Sequence, residues 1–255
     1  DLAYFVPDLW GVEGYLDINN VETKGPVYGM RLNDLDVSLL DTTVLKGDLR
    51  IPRINDLASA IFIEDIELFR TSVSDVEKLK LENILNAEQT KTLNSNLAQF
   101  KSANIITLKN GSFKGGVESF VVDGDLYTGI GNIHSDYGIQ FTYQEDGLYH
   151  YKGALEESLG KHIIVENLNL GVITNNSLLG KVTGYLKIKG KGFDEKDLDI
   201  TFQGHLDEFG IYNYRYRDIN IKKGSRFARN VFDGEIDIED DHLALTYDGK
   251  VDLNG

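Results

Sequence analysis

The stretch Val182-Thr183-Gly184-Tyr185-Leu186 decides how the chain is read, because its pattern, apolar-x-Gly-x-apolar, returns along the whole length. It recurs at Val12-Gly14-Leu16, Leu45-Gly47-Leu49, Phe113-Gly115-Val117, Val122-Gly124-Leu126 and Tyr151-Gly153-Leu155. It returns again at Phe202-Gly204-Leu206, Phe232-Gly234-Ile236 and Tyr247-Gly249-Val251. In a strand, successive side chains point to opposite faces, so positions i, i+2 and i+4 share one. Each unit therefore puts two apolar groups and a glycine on one side. The intervening positions are mostly polar, as with Lys46 and Asp48, Asp233 and Glu235, and Asp248 and Lys250. Further runs with a period of two lie between the units: Leu35-Val37-Leu39, Ile139-Phe141-Tyr143, Leu168-Leu170-Val172 and Leu243-Leu245-Tyr247. Asn110-Gly111, Asp123-Gly124, Asp146-Gly147 and Asp240-Asp241 read as turns between strands. The pattern predicts an all-β fold, a meander of antiparallel hairpins. It lacks the alternating helical spacers that a parallel doubly wound sheet needs.

A glycine at the centre of the apolar side, repeated strand after strand, leaves one side of a sheet free of obstructing side chains and permits tight coiling. The expectation is an elongated, curved antiparallel sheet, a gutter or taco, with an apolar concave face. Two fates are open to that face. Its own side chains or a covering sheet fill it, as in a sandwich or barrel core, or it stays a groove for apolar ligands. The pattern alone favours the packed core. If the face stays open, its lining is Leu45, Leu49, Val117, Leu126, Leu155, Val182, Leu186, Leu206, Phe232, Ile236 and Val251.

One stretch breaks the pattern. After Ser74, the positions Val76, Leu79, Leu81, Ile84, Leu85, Leu93, Leu97 and Phe100 have helical spacing, and glycine is absent. Ser74 or Asp75 would serve as the cap. The expected organisation is β repeats over residues 1–73, a helical insertion over 74–104 and β repeats again over 105–255. An irregular insertion loop is the alternative for the middle part.

Composition narrows the function classes. With 41% hydrophobic and 26% charged residues, the 255-residue chain is globular rather than disordered. Twenty-six glycines against 3 prolines, with 13 tyrosines and 12 phenylalanines, suit sheets. A formal net charge of −15 argues against a nucleic-acid partner, since phosphate binding needs concentrated Lys and Arg. With no cysteine, disulfides, thiolate catalysis and Cys-based zinc sites are all excluded. No apolar run approaches the roughly 18–20 residues of a membrane span. The chain opens at Asp1 without methionine and stops at Gly255 on a strand-like pattern, so it reads as an internal part of something longer.

No chemistry stands out. His134, His150, His162, His205 and His242 form no His-x-His or His-Glu-x-x-His spacing, so no metal site is expected. There is no Gly-x-Ser-x-Gly elbow and no P-loop lysine, and no enzyme or cofactor is expected. Gly129-Ile130-Gly131 and Gly190-Lys191-Gly192 read as turn or bulge glycines rather than dinucleotide loops. Asp237, Glu239, Asp240 and Asp241 form an acidic cluster without EF-hand spacing, read as a solvated hairpin end.

The closing third carries a resemblance. Gly190-Lys191-Gly192-Phe193, Leu198-Asp199, Gly204-His205-Leu206, Phe209 and Tyr212-Asn213-Tyr214-Arg215-Tyr216-Arg217-Asp218-Ile219 resemble the TamB family of Bacteroidota. So do Val231-Phe232-Asp233-Gly234-Glu235-Ile236-Asp237-Ile238, Leu243 and Tyr247-Asp248-Gly249-Lys250-Val251-Asp252-Leu253. The opening Asp1-Leu2-Ala3-Tyr4-Phe5-Val6-Pro7 and the Leu45-Lys46-Gly47-Asp48-Leu49 unit are similar to the same family; the helical insert is its least familiar part. TamB-like proteins are similar to the AsmA group of bridge-like proteins. The resemblance implies a periplasmic segment of a protein anchored in the inner membrane, a long β-taco whose hydrophobic groove holds phospholipid acyl chains. It further implies docking, through regions outside this chain, on an outer-membrane barrel of the assembly-factor (TamA-like) type. The implied roles are phospholipid transport between membranes and support of outer-membrane protein assembly. A structural or chaperone scaffold that holds unfolded strands by β-augmentation is the alternative, and a self-contained adhesin-like β-sandwich is a third. Asp41-Thr42-Thr43 resembles the short O-glycosylation acceptor of Bacteroidota periplasmic proteins.

Overall fold

A computed structural model describes residues 16–26, 29–52, 61–78, 87, 90–91, 104–116, 118–153, 162–192 and 196–253. Among these residues, strands β1 (Leu16–Lys24), β2 (Met30–Leu39), β3 (Thr43–Ile51), β4 (Ile61–Ser72), β5 (Ile105–Gly116), β6 (Ser119–Thr128) and β7 (Gly131–Tyr143) come first. They are followed by β8 (Tyr149–Gly153), β9 (Ile163–Asn169), β10 (Leu179–Lys191), β11 (Asp199–Ile211), β12 (Tyr214–Ala228), β13 (Val231–Asp240) and β14 (Leu243–Asp252). Short helices α1 (Val73–Lys78) and α2 (Leu170–Ile173) are also among the described residues. All the strands belong to one antiparallel sheet. Its spatial order follows the chain, except that β9 lies off the main path and pairs with β10 and β7. This is the all-β hairpin meander the periodicity predicts.

The tightest hairpins explain the simple order. Tyr212 and Asn213 join β11 to β12, and Arg229 and Asn230 join β12 to β13. Both pairs have positive φ (53° and 68°; 52° and 58°), as the type I′ loops require whose twist matches that of the flanking strands. Neither pair contains glycine, so a search for Asn-Gly and Asp-Gly passes over both.

Two expected turns are corrected. Asn110-Gly111 and Asp123-Gly124 lie inside β5 and β6, where a Cβ on Gly124 would stand 2.7 Å from the Gly111 Cα. These dipeptides mark an irregular pairing where two backbones approach closely. The expected turns at Asp146-Gly147, between β7 and β8, and at Asp240-Asp241, between β13 and β14, are present.

The run Leu168-Leu170-Val172 is also corrected. It is not a continuous strand, because Asn169 ends β9 and its side-chain oxygen accepts from the Val172 amide at 3.3 Å, capping α2. At α1 the cap is Ser72 rather than Ser74 or Asp75: its hydroxyl accepts from the Asp75 amide at 3.1 Å. Leu79, Leu81, Ile84, Leu85, Leu93, Leu97 and Phe100 of the predicted insertion lie outside the described residues, as do Val12 and Gly14.

The chain divides into two compact units, Asp1–Gly129 with Gln140–Gly147, and Ile130–Ile139 with Leu148–Gly255. In the second unit, Ile163, Val165, Val182, Leu206, Ile219, Ile221 and Ile238 form a buried cluster contributed by five strands. A smaller cluster joins Leu179, Leu198 and Phe227.

Candidate functional site

In the first unit, apolar residues of neighbouring strands stand opposite one another in rows. One row runs Ile18, Val37, Leu45, Phe69, Leu108, Leu126 across β1 to β6. A second runs Leu32, Leu49, Ile63, Phe113, Val122 across β2 to β6. Phe113, Phe120 and Phe141 continue it as a stack, with ring centroids 5.1 and 4.9 Å apart. Leu45, Leu49 and Leu126 are half-buried, and Ile18 at the β1 edge is 51% exposed.

The second unit repeats the arrangement. Val165, Gly184, Leu206, Ile219, Ile238 and Leu245 are successive partners from β9 to β14. So are Ile163, Leu186, Gly204, Ile221, Ile236 and Tyr247. A shorter row holds Ile200, Phe227, Phe232 and Val251. Burial divides the positions named from sequence. Val182 and Leu206 are sealed at 2% and 4% exposure, whereas Leu186, Phe232, Ile236 and Val251 are half-buried. Val117 and Leu155 lie outside the described residues.

Asn176, in the connection between β9 and β10, donates to the Leu253 carbonyl just beyond β14 at 3.3 Å. Four strand spacings separate β10 from β14, roughly 19 Å in a flat sheet. Leu170, in the same connection, packs against both apolar clusters.

Gly184 and Gly204 act differently from the expectation. A Cβ on Gly204 would stand 2.1 Å from the Tyr185 carbonyl oxygen, and one on Gly184 2.3 Å from that of His205. Both have φ of +154° and sit where the register shifts, between Thr183 and Gly184 and between Phe202 and Gly204. They let neighbouring backbones close at β-bulges; the space they clear is filled by the next strand rather than left on a concave side.

Between the apolar positions, polar partners pair across strands. Lys46 meets Asp36 at 2.7 Å, Lys222 meets Asp237 at 2.6 Å, and Arg226 binds Asp199 through two bonds of 2.7 and 2.6 Å. Hydrogen bonds from Lys46, Lys222 and Arg226 hold the Asp36, Asp237 and Asp199 carboxyls below the usual range. Within the acidic hairpin cluster, Asp240 accepts from the Tyr214 hydroxyl at 2.7 Å and from the amides of Arg217 and His242 at 3.0 Å. That makes it an organising acceptor for the hairpin ends.

One polar node escaped the sequence reading. Asp75, 1% exposed, brings Oδ2 within 2.8–2.9 Å of the amide nitrogens and hydroxyls of Thr42 and Thr43. Burial pushes its pKa up, but those hydrogen bonds outweigh burial and bring it down to about 2. The Thr42 hydroxyl, read from sequence as a glycan acceptor, also lies 2.8 Å from the Ser72 hydroxyl. The only sequence signal for the node was a Ser-x-x-Asp spacing at the head of α1.

No family model, curated protein or solved structure matches the chain. Among the described residues, no helix is long and apolar enough to cross a membrane, which says nothing of strands that cross as a barrel.

Proposed function

We propose that the chain is a segment of a bridge-type lipid-transfer protein of the TamB kind, carrying phospholipid acyl chains between the inner and outer membranes along its apolar rows. In this reading it is periplasmic, belongs to a protein anchored in the inner membrane, and reaches a TamA-like barrel through regions outside this chain. The observation that carries the proposal is the registry of the rows: Leu45 to Leu126 in one unit and Leu186 to Tyr247 in the other run across many strands without a charged residue. Successive side chains alternate sides, so within each unit the rows fall on one side of the strands and the ion pairs on the other. The Asn176–Leu253 bond supports curling of the strands in the second unit. An acyl chain laid along half-buried aliphatic groups gains about 0.8 kcal/mol per methylene removed from water, with little selectivity. That suits sliding rather than capture.

Burial favours a second reading for part of the molecule. Val182 and Leu206 are sealed among their own neighbours, as in an ordinary packed core, and an acyl chain would not reach them without displacing protein. The accessible lining is therefore Leu45, Leu49, Leu126, Leu186, Phe232, Ile236 and Val251. A photoreactive amino acid at Leu49 or Ile236 should crosslink lipid in cells, and one at Leu206 should not. Equal lipid capture at all three, or at none, rejects the conduit and leaves a structural scaffold.

A further inference from the structure

At the end of the second unit where β10, β12 and β14 finish and β11 and β13 begin, a cavity of about 380 Å³ opens. That is within the size range of small-molecule sites. Among the described residues, its lining is basic on balance. Lys191, Lys196, Arg226, Arg229 and Lys250 line it against three carboxylates, Asp197, Asp199 and Asp233, in a protein whose formal net charge is −15.

Two further observations give the site character. Arg226 is braced by Asp199 through Nε and one terminal nitrogen, at 2.7 and 2.6 Å. A guanidinium has five N–H donors, so this pairing fixes its plane and leaves three donors for another acceptor. The Asp199 carboxyl is held below its usual pKa range, first by the Arg226 hydrogen bond and further by the charges of Lys191 and Arg229.

One wall is apolar. Leu198 is buried in the cluster with Phe227, against which Phe232 packs, so the cavity adjoins the row of Ile200, Phe227, Phe232 and Val251. Basic groups beside an apolar row suit an anion that carries a hydrocarbon tail.

We propose that this cavity binds a phosphate-bearing anion, with Arg226, Arg229 and Lys196 as its recognising groups, and that a phospholipid headgroup is one source of it. The phosphate chemistry stands on the cavity alone; the headgroup assignment rests on the acyl-chain reading above.

The test is calorimetric titration of the purified chain with inorganic phosphate, and flotation with phosphatidylglycerol vesicles in the presence and absence of phosphate. The double variant Lys196→Gln, Arg229→Asn removes two charges, and Asn tolerates the positive φ of position 229. It should weaken phosphate binding about tenfold, while Lys109→Gln in the other unit should leave it unchanged. Binding should also fall as salt is raised, because an exposed site is screened. If thermal melting shows the double variant unfolded, Lys250→Gln on β14 serves instead. No phosphate binding by the wild type, or equal binding by the folded variants, overturns the site. Vesicle binding that phosphate displaces supports the headgroup. Phosphate binding without vesicle binding keeps the anion site and overturns the headgroup. Failure of the acyl-chain reading is seen separately, at Ile236 crosslinking, which these variants do not touch.

Discussion

Asp75 offers the sharpest test of how the first unit holds together. Its Oδ2 is the shared acceptor for the Thr42 and Thr43 amides and hydroxyls, and the group is sealed from water. Asp75→Ala leaves two amide donors without their acceptor, at about 1–3 kcal/mol each, so the expected loss is about 2–6 kcal/mol. Asp75→Asn keeps one carbonyl acceptor but loses the charge, which roughly halves the strength of each bond, for a loss of about 1–2 kcal/mol. The pH dependence has a definite sign. The folded pKa of about 2 lies below the ordinary 3.8, so the folded state binds fewer protons. The stabilisation is complete above the ordinary value and is lost as the pH falls through about 2, amounting to about 2 kcal/mol. Urea unfolding at a series of pH values measures this through the midpoint. Wild type should exceed Asp75→Asn at neutral pH, and the two should converge near pH 2. A gap that stays constant with pH, or an Asp75→Ala loss under about 1 kcal/mol, refutes the hydrogen-bond account.

Two further perturbations separate backbone from side-chain causes. Gly204→Ala drives a Cβ into the Tyr185 carbonyl and should cost several kcal/mol or prevent folding, whereas at Gly224, φ +93° with nothing within 4 Å, only backbone strain of about 1 kcal/mol is expected. Comparable losses in thermal melts would mean that the close approach at the bulge is not the reason for Gly204. Leu206→Ala should cost about 2–5 kcal/mol by opening a cavity in the sealed cluster, against under about 1 kcal/mol for Leu245→Ala in the same row, where the side chain is 42% exposed. Equal midpoint shifts in urea would show that row position, not burial, sets the cost.

Much of the architecture was legible because strand alternation is a local property. Phe232-Gly234-Ile236 and Tyr247-Gly249-Val251 were read as strands from a period of two, and they are β13 and β14. Readings failed where a local signal has two meanings. Asn110-Gly111 is as good a bulge as a turn, and only the partner strand decides between them. Leu170 continues the alternation of β9, yet the Asn169 side chain caps a helical turn there and takes it out of the strand. Tyr212-Asn213 and Arg229-Asn230 turn the chain without glycine, since Asn tolerates positive φ and the hairpin closes around its neighbour.

By itself, the sequence determined that this protein is built of antiparallel strands, because side-chain alternation follows from backbone geometry alone. It also excluded cysteine chemistry and set the acidic balance. Only the tertiary structure decided which apolar residues are sealed and which stay accessible: Val182 and Leu186 are equivalent in pattern, yet one is buried and the other half-buried. Burial of this kind depends on contacts between strands distant along the chain. The same is true of the Asp75 node, which joins residues about thirty positions apart, and of the basic cavity, whose cations come from three strands and two connections. Neither leaves a local repeat, so neither could be read before the strands were brought together.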